Sequence, residues 1–490
     1  MRSPRVVVVG NGMVSHHFLE RLYQAGGMAH YQVTVIGDEP HPAYDRIHLS
    51  SGFTNRADEQ SSNPLALTTA RTYADWGVAL CCGVRVREID RQQRCVRLAD
   101  GRAIEYDHLI LATGARAIVP QVPGHDLPGC YAFRTMADME AIRQAVAHAN
   151  HVVVIGGGLL GLELAGALHE LGVSICVLQR GPSLMPAQLD PQAAALVKSS
   201  IEVPGFEVRT SAATSSITLR DGGGLIVHVG DCDIATDMVI FSTGVQPCDE
   251  LGRGAGLKVS PRGGIAIDEH SRTSDPDIFA VGDCAAFNDV SYGLVAPGYA
   301  MARTVVSQLM GQPTAFIGGD TSTRLKLRGI EVATVGSIKQ PATDCDAITL
   351  TDAANGVYKR VVVDRASRAV LGAVMVGESE GYDELLQLYR DGARIDGSPA
   401  RLLLSDQYCG PSVPLCQTMS SDALICSCHA VTAGQVRNCA AAGLNDVASV
   451  ATATSASTGC GSCKRLLERY LSSLGEQGAD AGYHPRRVAG

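Results

Sequence analysis

A chain of 490 residues is too long for one hydrophobic core, and at roughly 100–200 residues per domain it divides into about three. With 46% apolar and 19% charged residues it is neither disordered nor fibrous, and a formal net charge of −9 argues against nucleic acid as the main partner. The opening MRSPRVVVVGNG enters a strand at once, so no signal peptide is expected. The most apolar stretch, Val152 to Leu168, is broken by glycines and by Glu163, so no membrane span is expected. The expectation is a soluble, cytoplasmic protein whose 16 cysteines are mostly reduced, where clustered thiols bind metal or carry redox chemistry.

Arg5 to Val9 is a β-branched run that reads as a buried parallel strand. It runs into Gly10-Asn11-Gly12-Met13-Val14-Ser15, then an amphipathic helix over Val14 to Ala25, then a strand over Val33 to Ile36 ending at Asp38 and Glu39. This is a βαβ dinucleotide fingerprint. Gly10 permits the tight turn, Gly12 lets backbone approach a pyrophosphate, and the helix N-terminus offers free N–H groups. Ser15 replaces the third small residue. Asp38, and after it Glu39, is the acid placed to accept hydrogen bonds from a ribose.

The pattern repeats downstream. The strand Val152 to Ile155 enters Gly156-Gly157-Gly158-Leu159-Leu160-Gly161, a helix follows over Leu162 to Leu171, then a strand over Ser174 to Leu178. Gly156, Gly158 and Gly161 fill all three glycine positions. Two such units imply two dinucleotides, naturally a resident flavin and a visiting nicotinamide. The second unit ends Gln179-Arg180 with no acid. Gln179 can bond a ribose hydroxyl, and Arg180 can take a 2′-phosphate or stack on adenine, which leaves NADH and NADPH both open.

Three further segments are YDHLILATGA (Tyr106 to Ala115, with Ala112, Thr113 and Gly114), DMVIFSTGVQP (Asp237 to Pro247, with Gly244) and TSDPDIFAVGDCA (Thr273 to Ala285). Together with the glycine loops, and in this order over about Arg5 to Gly311, they resemble the two-dinucleotide flavoprotein reductases. The resemblance implies a glutathione-reductase-like α/β fold, with a nicotinamide domain inserted in a discontinuous flavin domain. It also implies that Asp283 bonds the ribityl chain and that Gly282 gives it close backbone access. A finer match lies in VTVIGDEPHPAYDRIHLSSGF (Val33 to Phe53), LMPAQLD (Leu184 to Asp190) and STRLKLRGIEVATVG (Ser322 to Gly336). These resemble the N-terminal half of bacterial assimilatory nitrite reductase large subunits. That resemblance implies that Tyr44, Asp45 and Arg46 lie beside the flavin, with Arg46 touching it, and it tilts the nicotinamide toward NADH. Ser51 falls about where rubredoxin- and ferredoxin-reductase relatives often carry a flavin-contacting lysine, so that contact is not carried over. Glu163 resembles the family's acid near the flavin–nicotinamide contact; the competing account is a helix N-terminal acid favoured by the macrodipole.

Disulfide reductases of this fold carry C-x-x-x-x-C where Tyr44 to Phe53 has no cysteine, so dithiol chemistry is not expected. Cys81 and Cys82 read as core thiols. From about Pro313, EVATVGSI, VYKRVVVDR and AVLGAVMVG read as strands and Tyr382 to Gly392 as a helix, resembling the small domain that covers the flavin and often carries a dimer contact. Arg401 to Gln417 reads as a linker holding Cys409 and Cys416, whose spacing is a weak metal pattern.

Four cysteines follow, Cys426 and Cys428 as C-x-C, then Cys460 and Cys463 as C-x-x-C after 31 residues. Four thiolates suit zinc or an iron–sulfur cluster, and zinc ribbons usually show two C-x-x-C knuckles. The stretch Ile425 to Leu471 resembles the bacterioferritin-associated ferredoxin module, which implies a [2Fe–2S] cluster on those four cysteines and helices over Thr432 to Ala442 and Cys463 to Leu471. Cys463 would open a helix, whose N-terminus favours thiolate. After Leu471 the sequence continues as a short polar tail, and no sirohaem half is expected.

The expected organisation is a flavin domain in two segments (1–117 and 241–312), a nicotinamide domain (118–240), an α+β interface domain (313–398), a linker (399–423), the [2Fe–2S] domain (424–475) and a tail (476–490). The expected function is electron flow from NAD(P)H to FAD to [2Fe–2S] to a partner, foremost the molybdenum catalytic subunit of assimilatory nitrate reductase. Alternatives are the reductase component of a nitrite reductase, a stand-alone ferredoxin or rubredoxin reductase, and, in a different class, a cluster-based redox sensor.

Overall fold

The computed structural model describes residues 2–53, 63–327, 329–339, 344–404, 419–459, 461 and 463–480. It divides into two compact units, Met1–Ala187 with Val197–Gly319, and Gln188–Leu196 with Asp320–Gly490. Among the described residues no helix is long and apolar enough to cross a membrane.

The first unit holds two parallel five-stranded sheets. One runs in the order Ile278–Ala280, His108–Leu111, Arg5–Val9, Gln32–Ile36, Ala79–Cys81; the other Phe206–Arg209, Ser174–Leu178, His151–Ile155, Met238–Phe241, Cys130–Ala132. The glycine-bearing strand is central in each, so each glycine loop lies where strand order reverses, the crevice in which such sheets bind ligands. Val6, Val7 and Val8 are at most 1% exposed, as expected of a strand covered on both faces. The chain leaves the two sheets through Ala115–Ala117 and Val245–Pro247, which pair antiparallel. Thr113 Oγ1 donates to the Cys248 carbonyl at 2.7 Å, and Thr243 Oγ1 donates to the Ile118 carbonyl at 2.6 Å.

The first glycine helix spans Met13–Gln24 and the second Leu159–Glu170. The second begins three residues before the expected Leu162, because Gly158 already takes the cap position. Glu163 is therefore in its second turn. A macrodipole acts within the first turn, so the capping account of Glu163 fails. Cys81, half-buried at the end of its strand, packs against the core, whereas Cys82, just beyond the strand, is half-buried with Sγ against the His41 carbonyl and is not a core residue, which corrects the expectation for Cys82.

In the second unit an antiparallel sheet runs Thr323–Leu327, Ile330–Gly336, Val370–Val376, Val357–Asp364, Cys345–Asp352. Thr323–Leu327 and Cys345–Asp352 are edge strands that the sequence pattern had not marked. Leu385 and Leu386 of the helix Tyr382–Asp391 are buried in the core of this sheet. Beyond it lie the hairpin Leu424–Cys426/Val431–Thr432 and three helices, Ala433–Ala441, Val447–Thr454 and Lys464–Asp480. The middle helix was not expected, since VASVATAT is rich in residues of low helix propensity. It forms on a cap in which Asp446 accepts from the Ser449 N–H at 2.9 Å. The last helix continues past the expected Leu471.

Candidate functional site

The two glycine loops are built alike. Gly10 N–H donates to the Ile36 carbonyl and Ala112 N–H to the Val9 carbonyl, both at 2.8 Å; in the second unit Gly156 donates to Leu178 and Ser242 to Ile155, again at 2.8 Å. A Cβ on Gly10 would lie 2.1 Å from the Ala112 carbonyl oxygen, and one on Gly156 2.1 Å from that of Ser242. Both glycines have positive φ, +108° and +127°. Only glycine fits such a turn against the neighbouring strand. Gly161 meets the same constraint, its Cβ position lying 2.0 Å from the Gly156 carbonyl oxygen. Ser15 occupies the corresponding place in the first loop, fully buried, with Oγ donating to the Gly12 carbonyl at 2.8 Å.

The cap positions differ from these. Gly12 and Gly158 open their helices with no side-chain cap, whereas Thr135 and Thr432 cap theirs with a full capping box. A Cβ on Gly158 would meet nothing within 4 Å, and one on Gly12 only Arg46 Nε at 4.0 Å. Two bare helix N-termini facing open space, each with uncapped N–H groups, fit the pyrophosphates of two dinucleotides.

Around the first loop, Glu39 accepts from Tyr44 Oη at 2.8 Å and pairs with Arg46, whose guanidinium also lies 4.7 Å from the Tyr44 ring centroid. Asp38 is exposed. Of the two adjacent acids, Asp38 is thus the exposed one, while Glu39 is engaged by Tyr44 and Arg46. Asp45 accepts from the Ile47 and His48 N–H groups at 2.8 and 3.1 Å, which turns the chain behind Arg46. Asp283, in the turn Gly282–Cys284, pairs with Arg134 at 2.9 Å. Arg134 also donates to the Ala115 carbonyl at 3.2 Å. Gly114 accepts from Cys248 N–H, and Gly244 from Ile118 N–H, both at 2.9 Å, so the exit loops hold each other beside the two crevices. Arg134 was missed by sequence reasoning, since it sits in no glycine or acid motif.

In the second crevice, Gln179 Oε1 accepts from the Gly157 N–H at 3.0 Å. Its side-chain carbonyl thus braces the glycine loop. Arg180 is exposed next to it. Glu163 is partly buried, and burial pushes its carboxyl up to about 7, opposed by the charge of His48. An acid with a raised folded-state value loses stability as pH rises from its ordinary range, near 4.5, through 7. Glu163→Gln is therefore expected to stabilise the protein at pH 8 by on the order of 2 kcal/mol and to change little at pH 4. Thermal melts across that range check it; equal shifts at both ends would contradict it.

In the second unit, Cys426, Cys428 and Cys463 are buried. The Cys426 sulfur is held far below the usual thiol range by Cys428, then Cys463, and by the backbone N–H groups of Ser457 and His429. Cys463 immediately precedes the helix Lys464–Asp480, and its carbonyl accepts from Leu467 N–H at 2.9 Å. A Cβ on Gly459 would lie 3.3 Å from Cys428 Cβ and 3.1 Å from His429 Nε2, so the second cysteine loop packs closely over the first. Cys460, like Cys409 and Cys416, lies outside the described residues. Convergent buried thiols surrounded by backbone donors fit a thiolate-held iron–sulfur cluster, whose sulfurs accept such bonds.

Comparison with known proteins agrees with this geometry. Residues 4–311 match the family described as pyridine nucleotide-disulphide oxidoreductase, residues 322–393 the rubredoxin NAD+ reductase C-terminal domain, and residues 424–473 the BFD-like [2Fe-2S] binding domain. The nitrite reductase [NAD(P)H] large subunit of Klebsiella oxytoca is 40% identical over 98% of this chain and 50% of its own length. The assimilatory nitrate reductase electron transfer subunit of Bacillus subtilis is 32% identical over 96% of this chain and 60% of its own length. The chain thus spans about half to three-fifths of these relatives. A solved ferredoxin reductase of the CYP199A2 system from Rhodopseudomonas palustris is 27% identical and superimposes with a TM-score of 0.70 over 79% of this chain and 95% of that one.

Proposed function

This chain belongs to the pyridine nucleotide-disulphide oxidoreductase family, and on that premise we propose that it draws electrons from NAD(P)H and delivers them to a partner enzyme, foremost the molybdenum catalytic subunit of an assimilatory nitrate reductase. It has an FAD- and NAD(P)H-binding oxidoreductase region and a [2Fe–2S]-binding domain. Held there, FAD would supply two-electron acceptance of the nicotinamide hydride, and a cluster on the cysteines would supply one-electron transfer. The chain's own residues then bind and orient. Gly10, Gly12 and Ser15 shape the first pyrophosphate loop, Asp38 takes the ribose, and Arg46 and Asp283 address the flavin, with Ala112, Thr113, Gly114 and Gly282 lining its crevice. Gly156, Gly158, Gly161, Gly244, Gln179 and Arg180 do the same for the nicotinamide nucleotide, and Glu163 lies near where it meets the flavin. Cys426, Cys428, Cys460 and Cys463 hold the cluster.

The observation that carries this reading is the convergence of Cys426, Cys428 and Cys463 in a chain that also has two uncapped glycine helices. Support for the nitrate partner comes from the Bacillus subtilis relative. The greater identity to a nitrite reductase large subunit favours a second reading, a reductase component serving a sirohaem chain. The test is purification with the bound partner and its metal content, beside anaerobic titration with NADH and NADPH separately. Molybdenum in the complex supports the first reading and sirohaem the second. A cluster that stays oxidised while the flavin is reduced would sink both.

A further inference from the structure

The segments flanking the cysteines on both sides of the cluster cradle are tied to the antiparallel domain. Arg390, on the helix Tyr382–Asp391, donates to the Leu424 carbonyl at 3.4 Å, two residues before Cys426. The same guanidinium is anchored to Asp320 at 2.9 Å. From the other side, the helix that follows Cys463 presents Arg465 and Arg469, one turn apart on one face. Arg465 pairs with Glu331 at 3.6 Å and Arg469 with Asp383 at 3.3 Å. Glu331 sits on the strand Ile330–Gly336, where it also meets Arg324 at 3.5 Å and Ser379; Asp383 opens the helix that carries Arg390.

These pairs differ in weight. Arg465, Arg469 and Glu331 are one-third to one-half exposed, and pairs of that kind contribute little singly. Asp383, however, is only 4% exposed, so losing Arg469 leaves a buried carboxylate with fewer compensating charges. Burial pushes the Asp383 carboxyl up, and Arg324, Arg469 and Arg465 oppose the shift.

We propose that Arg390, reaching from the antiparallel domain to Leu424, and Arg465 and Arg469, reaching back to Glu331 and Asp383, are positioning residues that clasp the cluster cradle onto that domain, making the cluster a fixed relay instead of a cargo on a free arm. The inference rests on the cluster assignment above for its role, while the clasp itself rests on geometry alone. It predicts a division between steps. In the full-length protein, R465Q/R469Q should keep flavin reduction by NADH within about twofold and the cluster's electron paramagnetic resonance signal unchanged. Cluster reduction should slow by about tenfold or more and lose the salt dependence it has in the parent, because salt weakens half-exposed pairs. Hydrogen exchange should rise in Leu424–Cys426 and in Lys464–Asp480 together, and R465K/R469K should restore both readouts.

Unchanged exchange in the double glutamine variant would show that no clasp exists. Raised exchange with an unchanged cluster-reduction rate would show that the clasp does not position the cluster. A parent protein with no [2Fe–2S] signal would overturn the relay and the electron-transfer reading, while exchange would still decide the clasp.

Discussion

Cys428→Ser is expected to abolish the [2Fe–2S] signal, to leave FAD bound, and to cut electron delivery to the partner by at least ~100-fold, since loss of a ligand exceeds the 10–100-fold cost of losing its supporting shell. NAD(P)H-driven reduction of a small direct flavin oxidant such as ferricyanide should stay within about twofold, because the two nucleotide crevices lie in a separately packed unit with its own sheets. Cys428 is 1% exposed, and Cys426, to which it is hydrogen-bonded, is 2% exposed. The segment matched as the cluster domain, residues 424–473, is short for a self-sufficient core. Metal binding in such a domain contributes folding energy outright. Loss of the cluster should thus be accompanied by local melting of Ala433–Ala441 and Val447–Thr454, read by circular dichroism and iron content. Full iron retention in the variant would remove Cys428 from the ligand set.

The second large effect separates two glycines two residues apart. Gly156→Ala is expected to destabilise the protein by about 3 kcal/mol or more, because its Cβ would sit 2.1 Å from the Ser242 carbonyl oxygen at a φ of +127°. The clash is with backbone, at the residue that directly follows the buried strand Met238–Phe241, and cannot be relieved by a side-chain rotation. Gly158→Ala meets nothing within 4 Å and has ordinary φ, −84°, so stability should change by less than about 1 kcal/mol. Its methyl group would instead occupy the space above the helix N-terminus, where the nicotinamide pyrophosphate is expected. Its KM for NAD(P)H should rise by about tenfold or more while flavin content stays whole. Thermal melts and steady-state kinetics on the two variants check the pair. A destabilised Gly158→Ala with normal KM would show that this glycine serves packing and not the nucleotide.

The features legible in the sequence are those imposed by local backbone chemistry. A strand that must turn sharply onto a helix whose N–H groups stay free requires glycine at set offsets, so both loops appear as short strings. Four thiols around a cluster require cysteines at spacings set by two loops, so the second unit's site is legible even though Cys460 lies outside the described residues. Sequence reasoning was less secure where propensity and tertiary packing disagree. The helix Val447–Thr454 and the two edge strands Thr323–Leu327 and Cys345–Asp352 were missed, the helix because a cap outweighed its β-branched residues, the strands because an edge strand has no fully buried run to mark it.

The assignment of roles among charged residues was left to the tertiary structure. Asp38 and Glu39 are adjacent and chemically alike, yet only the fold shows that Glu39 is engaged by Tyr44 and Arg46 while Asp38 is exposed. Arg134 meets Asp283 across 149 residues of sequence, and Arg469 meets Asp383 across 86. Glu163 was in the sequence throughout; its raised carboxyl is a property of the surface that covers it. The sequence alone marked two dinucleotide loops and one four-thiol site, because a ligand's demands on backbone turns and thiols are local, while the choice of iron–sulfur over zinc came from a family resemblance. Which charges are free to act, and which hold the cluster cradle in place, was decided only in three dimensions, because an ion pair depends on burial and distance, and neither is written in the order of the residues.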